Sequence, residues 1–256
     1  MKKLSFLLAC AAPLSAHAAD TGALVRFVTC PVYRDTDSGR KSGCWLADDR
    51  ETGARYEVSQ SPYKPDWNRS VLVEGRISAA SVDPCGAVVL DPVRTSILTE
   101  PCHRHMLPAE GHPGRKFVLP TRNVPPSFIP RRAPGGPFAE RMFPVFFEFD
   151  RSFIVYQYSD YLIDQAVLWL GAAKPRKVIV TGFAATEPEV VSGQTIAERS
   201  ELAQERAEVV AETLDRLLPG LPIETHWESG AKPVDLPDAD TLPGQSQRRV
   251  EIRAMF

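Results

Sequence analysis

The sequence predicts two folded units of different class, a small all-β barrel followed by an α/β sandwich. Short runs that alternate apolar and polar residues fill residues 19–105. Eight prolines and no sustained apolar period mark residues 106–142 as a linker. Strand-like and helix-like runs then alternate through residues 143–256. A chain of 256 residues is long enough for each unit to bury its own core.

The β-rich first unit has five candidate strands separated by turn-forming residues. Gly75 lies inside the fourth candidate, where a strand of a closed barrel would bend. We therefore expect residues 19–105 to form a small barrel of the OB type, a fold expectation that names no ligand. The candidate strands are 23–28, 42–46, 55–58, 70–77 and 86–90.

The second unit reads as β-α-β-α-β-β, which predicts helices packed on one face of a mixed sheet. A broad apolar stripe over 159–170 predicts the first helix. Thr195 and Glu198 have the spacing of a capping box, so we expect them to start the second helix. The candidate strands are 144–149, 178–180, 223–227 and 250–252.

The N-terminus predicts export. Two lysines precede a short apolar run over residues 4–14, and a small-x-small sequence at 16–18 follows. We expect residues 1–18 to be a signal peptide, cleaved between Ala18 and Ala19, which places the protein in the periplasm. The alternative is a lipobox ending at Cys10, which would anchor the protein by a lipid and associate it with the outer membrane. No later segment has the about 18 apolar residues of a transmembrane helix.

The cysteines predict a disulfide-bonded first unit. If Cys10 is removed with the signal peptide, four cysteines remain, and an even number in an exported chain indicates two disulfides. Three pairings are open. We favour Cys30–Cys44 and Cys85–Cys102, because each pair brackets a short strand-turn-strand region.

Several classes of function are disfavoured by composition and motifs. The net charge of −2 argues against a nucleic-acid partner. No Gly-x-Ser-x-Gly, His-Glu-x-x-His or phosphate-loop sequence occurs, so we expect no enzyme and no cofactor. The run from Cys102 to His105 offers a thiol and two imidazoles, but no Cys-x-x-Cys pair accompanies it, so we expect no metal.

Four signatures occur in order at residues 146–152, 177–182, 202–210 and 247–252. This ordered set resembles the OmpA-like C-terminal domain. Domains of this family bind peptidoglycan non-covalently in the envelopes of Gram-negative bacteria. The resemblance therefore implies that this unit is an α/β sandwich that associates with the stem peptide of peptidoglycan.

The resemblance also implies a binding site around Arg206, in the sequence Leu-Ala-Gln-Glu-Arg-Ala. An Arg at this position binds a stem-peptide carboxylate, and helical spacing puts Arg206 at the rim of an apolar face. The family places an Asp for the amine at the position of Ala185. Because the following loop is longer than usual, Glu187 or Glu189 is the candidate replacement.

Two further positions match the family less closely. Asp150 follows the first strand, and Arg249 lies in the terminal Arg-Arg-Val-Glu-Ile sequence. Ala185 leaves two functions open. We expect that the unit still binds peptidoglycan with a rebuilt site. The alternative is a scaffold that has lost this site and binds protein partners in an envelope assembly.

Overall fold

The computed structural model describes residues 20–38, 43–79, 85–109, 111–114, 132–154, 159–236, 240 and 242–256. The predicted signal peptide, its cleavage point after Ala18 and the alternative lipid anchor at Cys10 lie outside these residues. Much of the predicted linker, including residues 115–131, lies outside them as well. In the part of the chain that is described, no helix is both long and apolar enough to cross a membrane.

The first unit contains one seven-stranded sheet with the order β1-β5-β6-β4-β3-β2-β7. Its edge strands β1 and β7 do not pair with each other among the described residues, so the closed OB-type barrel is not confirmed. The strands are β1 (Leu24–Thr29), β2 (Pro31–Arg34), β3 (Cys44–Asp48), β4 (Arg55–Glu57), β5 (Arg69–Ile77), β6 (Val88–Pro101) and β7 (His105–Leu107).

One edge of this sheet is formed by a strand that was not predicted. β7 comes from the boundary of the predicted linker and pairs in parallel with β2. The chain beyond β7 remains attached, since Asp35 and Asp37 donate their amides to the carbonyls of Leu107 and His112 at 3.1 and 2.9 Å. The bend expected at Gly75 is present as a register shift between Gly75 and Ile77 in the β5–β6 pair.

The disulfides join Cys30 to Cys102 and Cys44 to Cys85, so the predicted pairs Cys30–Cys44 and Cys85–Cys102 are wrong. The reason is the strand order. β1 and β6 both pair with β5, and this brings Cys30, just after β1, beside Cys102, just after β6. Proximity in the sequence was therefore a poor guide to proximity in the sheet.

This connectivity can be tested directly. Proteolysis without reductant, followed by mass spectrometry, should recover one peptide pair containing Cys30 and Cys102 and another containing Cys44 and Cys85. The variant Cys30→Ser/Cys102→Ser should lose about 2–5 kcal/mol of unfolding free energy, because the bridge closes a long loop. The matched variant Cys44→Ser/Cys85→Ser should lose a similar amount. A peptide that joins Cys30 to Cys44 would contradict the connectivity.

The sheet strands and the two long helices of the second unit follow the predicted β-α-β-α-β-β order and form a mixed sheet, β12-β9-β13-β8, whereas the hairpin β10–β11 and the short helix α3 were not predicted. β12 is parallel to β9, and the other pairs are antiparallel. Both long helices bury apolar side chains against the same face. The elements are β8 (Arg141–Phe146), α1 (Ser159–Ala173), β9 (Lys177–Ala184), β10 (Glu189–Val191), β11 (Gln194–Ile196), α2 (Leu202–Leu217), β12 (Ile223–Ser229), α3 (Pro243–Gln247) and β13 (Arg249–Met255).

Helix α2 begins later than the capping box predicted. Its N-cap is Glu201, which makes no side-chain capping bond, and Glu198 precedes the helix with its carboxylate engaged elsewhere. The helix lies very close to β9 at Gly182, where an added Cβ would overlap the carbonyl oxygen of Ala203. The glycine thus sets the distance between helix and sheet.

The long loop after β9 folds into the hairpin β10–β11 and packs on the first unit. Its turn uses Ser192 and Gly193, both at positive φ, as a two-residue hairpin turn requires. The Ser192 hydroxyl accepts a hydrogen bond from the Val28 amide at 3.0 Å. Apolar residues from both units meet here in one cluster, which contains Val28, Leu72, Phe149, Val191 and Ile196.

Buried polar contacts also join the two units. Arg248 binds both carboxylate oxygens of Glu74, and neither side chain is appreciably exposed. The Phe149 amide donates to the Ser96 hydroxyl at 2.9 Å. Gly244 packs against the same carboxylate, and a Cβ there would overlap an oxygen of Glu74. The two units are thus held together by contacts that are as buried as those inside each core.

Candidate functional site

The predicted site lies where the carboxyl ends of β8 and β9 meet at one edge of the sheet. Both strands are antiparallel to β13, which lies between them, so both end on the same side. The loop after β8 is fixed to the first unit, because Arg151 donates to the carbonyl of Ile97 at 3.2 Å. α2 then brings the side chain of Arg206 between the two strand ends.

Arg206 is fully buried, not at the rim where the sequence placed it. Its Nε donates to the carbonyl of Arg151 at 2.9 Å, and Nη1 and Nη2 donate to those of Phe183 and Glu148 at 2.9 and 3.3 Å. The other two N–H groups bind the carboxylate of Glu198 at 2.9 and 2.6 Å. A guanidinium has five N–H donors, so every one of them has a partner inside the protein.

Glu198 is the charge partner of Arg206. Its two carboxylate oxygens also accept hydrogen bonds from the amides of Asp150 and Ala185 at 2.9 and 2.8 Å. Burial by itself raises the pKa of Glu198, but the charge and hydrogen bonds of Arg206 outweigh burial and hold that pKa below its usual value. Glu198 is therefore ionised at neutral pH.

The two candidate replacements for the missing Asp do not reach Arg206. Glu187 is 65% exposed and pairs with Lys232. Glu189 is the first residue of β10 and pairs with Arg26 of the first unit. The longer loop does supply a carboxylate to the site, but the residue that supplies it is Glu198.

Asp150 and Arg249 each contact a residue that binds Arg206. Asp150 adopts φ +55°, which aims its amide at Glu198, and its carboxylate pairs with Arg199 at 3.4 Å. Arg249 binds Glu251 at 2.8 Å and stacks on the Phe183 ring with its guanidinium carbon 3.9 Å from the centroid. Asp150 thus binds Glu198 through its backbone amide, and Arg249 packs on Phe183 at the end of β9.

The site is a carboxylate receptor that the protein fills with its own side chain. Two backbone amides and one guanidinium form the receptor, and Glu198 is the carboxylate. Sequence reasoning missed Glu198 because the spacing from Thr195 made it look like a capping residue. The available signal was its position directly after Ile196 and Ala197, where an apolar context favours burial.

Metal-ligand geometry appears at one place among the described residues. Cys44, Glu57 and Cys85 have ligand atoms close enough to share an ion. Both cysteines are joined in a disulfide, however, and a metal requires thiolates. Cys102 of the Cys-His-Arg-His run is likewise bonded to Cys30.

Comparisons with known proteins give similarities to solved structures. No family model and no curated protein matches the sequence. The cell wall anchor of the T6SS from Pseudomonas aeruginosa is 22% identical, covers 45% of this chain and 81% of its own, and has a TM-score of 0.34. The OmpA-like domain of FopA1 from Francisella tularensis subsp. tularensis SCHU S4 is 18% identical, covers 54% and 92%, and has a TM-score of 0.35.

A third similar structure is the periplasmic domain of MotB, residues 64–256, at 10% identity. That alignment covers 100% of this chain and 90% of the other, with a TM-score of 0.29. By its own strand order and contacts, the second unit of this chain is an α/β sandwich with an internally occupied carboxylate receptor.

Proposed function

We propose that this chain is an exported, non-catalytic scaffold protein of the cell envelope, with an OmpA-like second unit that binds protein partners in the periplasm. The four ordered signatures and the strand order of the second unit support the OmpA-like assignment. One observation favours a scaffold over a peptidoglycan anchor. Glu198 occupies the two Arg206 donors that could hold a stem peptide, and backbone carbonyls occupy the other three.

The energetic argument follows from these contacts. A stem-peptide carboxylate can reach Arg206 only if Glu198 leaves, and Glu198 would lose a buried ion pair and two amide hydrogen bonds. A ligand carboxylate would make the same contacts in exchange, so the net gain from these contacts is small, and the ligand also loses translational and rotational freedom on binding. Ala185 in addition offers no anion for the amine of the ligand.

Peptidoglycan association remains the second candidate, and the completeness of the receptor favours it. The amides of Asp150 and Ala185 and the fork of Arg206 already converge on one carboxylate. A stem-peptide carboxylate that replaced Glu198 would find the same four donors. In this case the ligand carboxylate displaces Glu198 from a site that binds peptidoglycan.

Co-sedimentation of the full chain with purified sacculi separates the two candidates. The scaffold proposal predicts that the wild-type protein stays in the supernatant at physiological salt, because the receptor is filled. Glu198→Gln, which keeps the shape but removes the charge, should loosen the occupant and give a modest increase at most. Wild-type sedimentation that free diaminopimelate abolishes would refute the scaffold proposal and support the second candidate. Arg216→Gln, an exposed change on the same helix, controls for nonspecific charge effects.

A further inference from the structure

The first unit has an open groove that the Arg206 site does not touch. It lies beside β2, between the end of β3 and the segment 102–105, and encloses about 430 Å³. The disulfide Cys30–Cys102 and the pairing of β7 with β2 connect the segments that line it. The side chains that carry its chemistry are Asp48, Arg50, His103, Arg104 and His105.

The groove has an excess of positive charge. Arg50 and Arg104 are exposed and carry permanent charges. The one acidic side chain that lines it, Asp48, is already bound by Arg55 at 2.6 and 2.8 Å. This hydrogen bonding by Arg55 holds the pKa of Asp48 below its usual value, so its charge is balanced by Arg55 and does not neutralise the groove.

Arg104 is held in place but keeps its hydrogen-bond donors available. Its guanidinium lies over the Trp67 ring, 4.1 Å from the centroid, and Trp67 packs against Tyr33 and Trp45 at 4.9 and 4.7 Å. Within the described residues, Arg104 forms no hydrogen bond and no ion pair. Stacking uses the face of the guanidinium and leaves its in-plane N–H groups free for a ligand.

We propose that this groove binds a phosphate group carried on a larger molecule. Arg forks bind phosphate oxygens in pairs, and two Arg side chains line this groove together with two imidazoles that can donate as well. The groove is much larger than a single phosphate ion, which favours a phosphorylated headgroup or a soluble phosphate ester. The inference stands apart from the proposed scaffold function, because it uses no residue of the carboxylate receptor.

The test is calorimetric titration of the full chain with inorganic pyrophosphate, with Trp fluorescence as a second readout, since Arg104 lies on Trp67. Arg104→Gln and Arg50→Gln should each weaken binding about tenfold, as expected for loss of a charged hydrogen-bond donor. Arg216→Gln removes an equally exposed charge from α2 and should leave binding unchanged. Circular dichroism of each variant confirms that it is folded.

Vesicles distinguish the sources of the phosphate. Flotation with phosphatidylglycerol vesicles that Arg104→Gln abolishes, together with pyrophosphate binding, assigns a lipid headgroup. Pyrophosphate binding without flotation assigns a soluble phosphate ester. The proposal is overturned if neither ligand binds, or if Arg216→Gln weakens binding as much as Arg104→Gln does.

Discussion

Replacing Arg206 with Ala is expected to lower the free energy of unfolding by about 3–5 kcal/mol, the cost of breaking a buried ion pair from one side. The substitution leaves the Glu198 carboxylate buried without its charge partner. It also removes the guanidinium donors from the carbonyls of Glu148, Arg151 and Phe183, of which the Glu148 carbonyl keeps the Arg151 amide at 3.2 Å. At an exposed rim, where the sequence placed Arg206, the same change would be nearly neutral.

Urea denaturation followed by circular dichroism measures this loss. Arg216→Ala, an exposed change on the same helix, should stay within about 0.5 kcal/mol of wild type. Glu198→Ala should lose a similar amount to Arg206→Ala, and the double variant should lose less than the sum, because the pair is coupled. Acetate should partly restore Glu198→Ala and leave the wild type unchanged. If Arg206→Ala is as stable as Arg216→Ala, the internal receptor does not exist.

Replacing Glu74 with Ala is the second large expected loss, about 3–5 kcal/mol by the same principle. Glu74 lies between Arg248 of the second unit and Arg26 of the first, at 3.0 Å from the latter. Burial raises the pKa of Glu74, but Arg248 and then Arg26 outweigh it and hold that pKa below its usual value. The substitution would leave Arg248 charged and enclosed.

The matched compensating variant is Glu74→Leu/Arg248→Met. It removes both charges, and we expect it to be more stable than Glu74→Ala, since apolar residues of similar volume often replace a buried pair without loss. Glu187→Ala breaks an exposed pair with Lys232 and should cost no more than about 1 kcal/mol. Thermal unfolding of the three variants gives the comparison. A Glu74→Ala protein as stable as Glu187→Ala would show that the interface does not depend on this carboxylate.

The order of elements in the second unit could be predicted because its signals are local. The apolar stripe of α1 and the β-branched residues of β9 each specify an element from within a short window. The strand order of the first unit depends on pairing between residues far apart in the sequence. The edge strand beside β2 is β7, which has only three residues and lies at the boundary of the linker.

The site was predictable in part for the same reason. The resemblance of residues 202–207 to the family motif pointed to Arg206, and Ala185 at the position of the family Asp pointed to a carboxylate from the longer loop. Which carboxylate is used depends on how that loop folds. The hairpin β10–β11 packs on the first unit, so Glu189 pairs with Arg26. Glu198, which follows the hairpin, pairs with Arg206. The residues next to each glutamate in the sequence do not indicate this long-range packing.

Gly244 of the second unit packs against Glu74 of the first unit. A side chain at this position would occupy the place of the Glu74 carboxylate, which lies in the other unit. A side chain at Gly244 would therefore have to shift the Glu74 carboxylate, which binds Arg248. Recombination that exchanged one half for a homologous half would separate these matched residues. We therefore expect that neither unit can be exchanged as a separate module without weakening the contact between them.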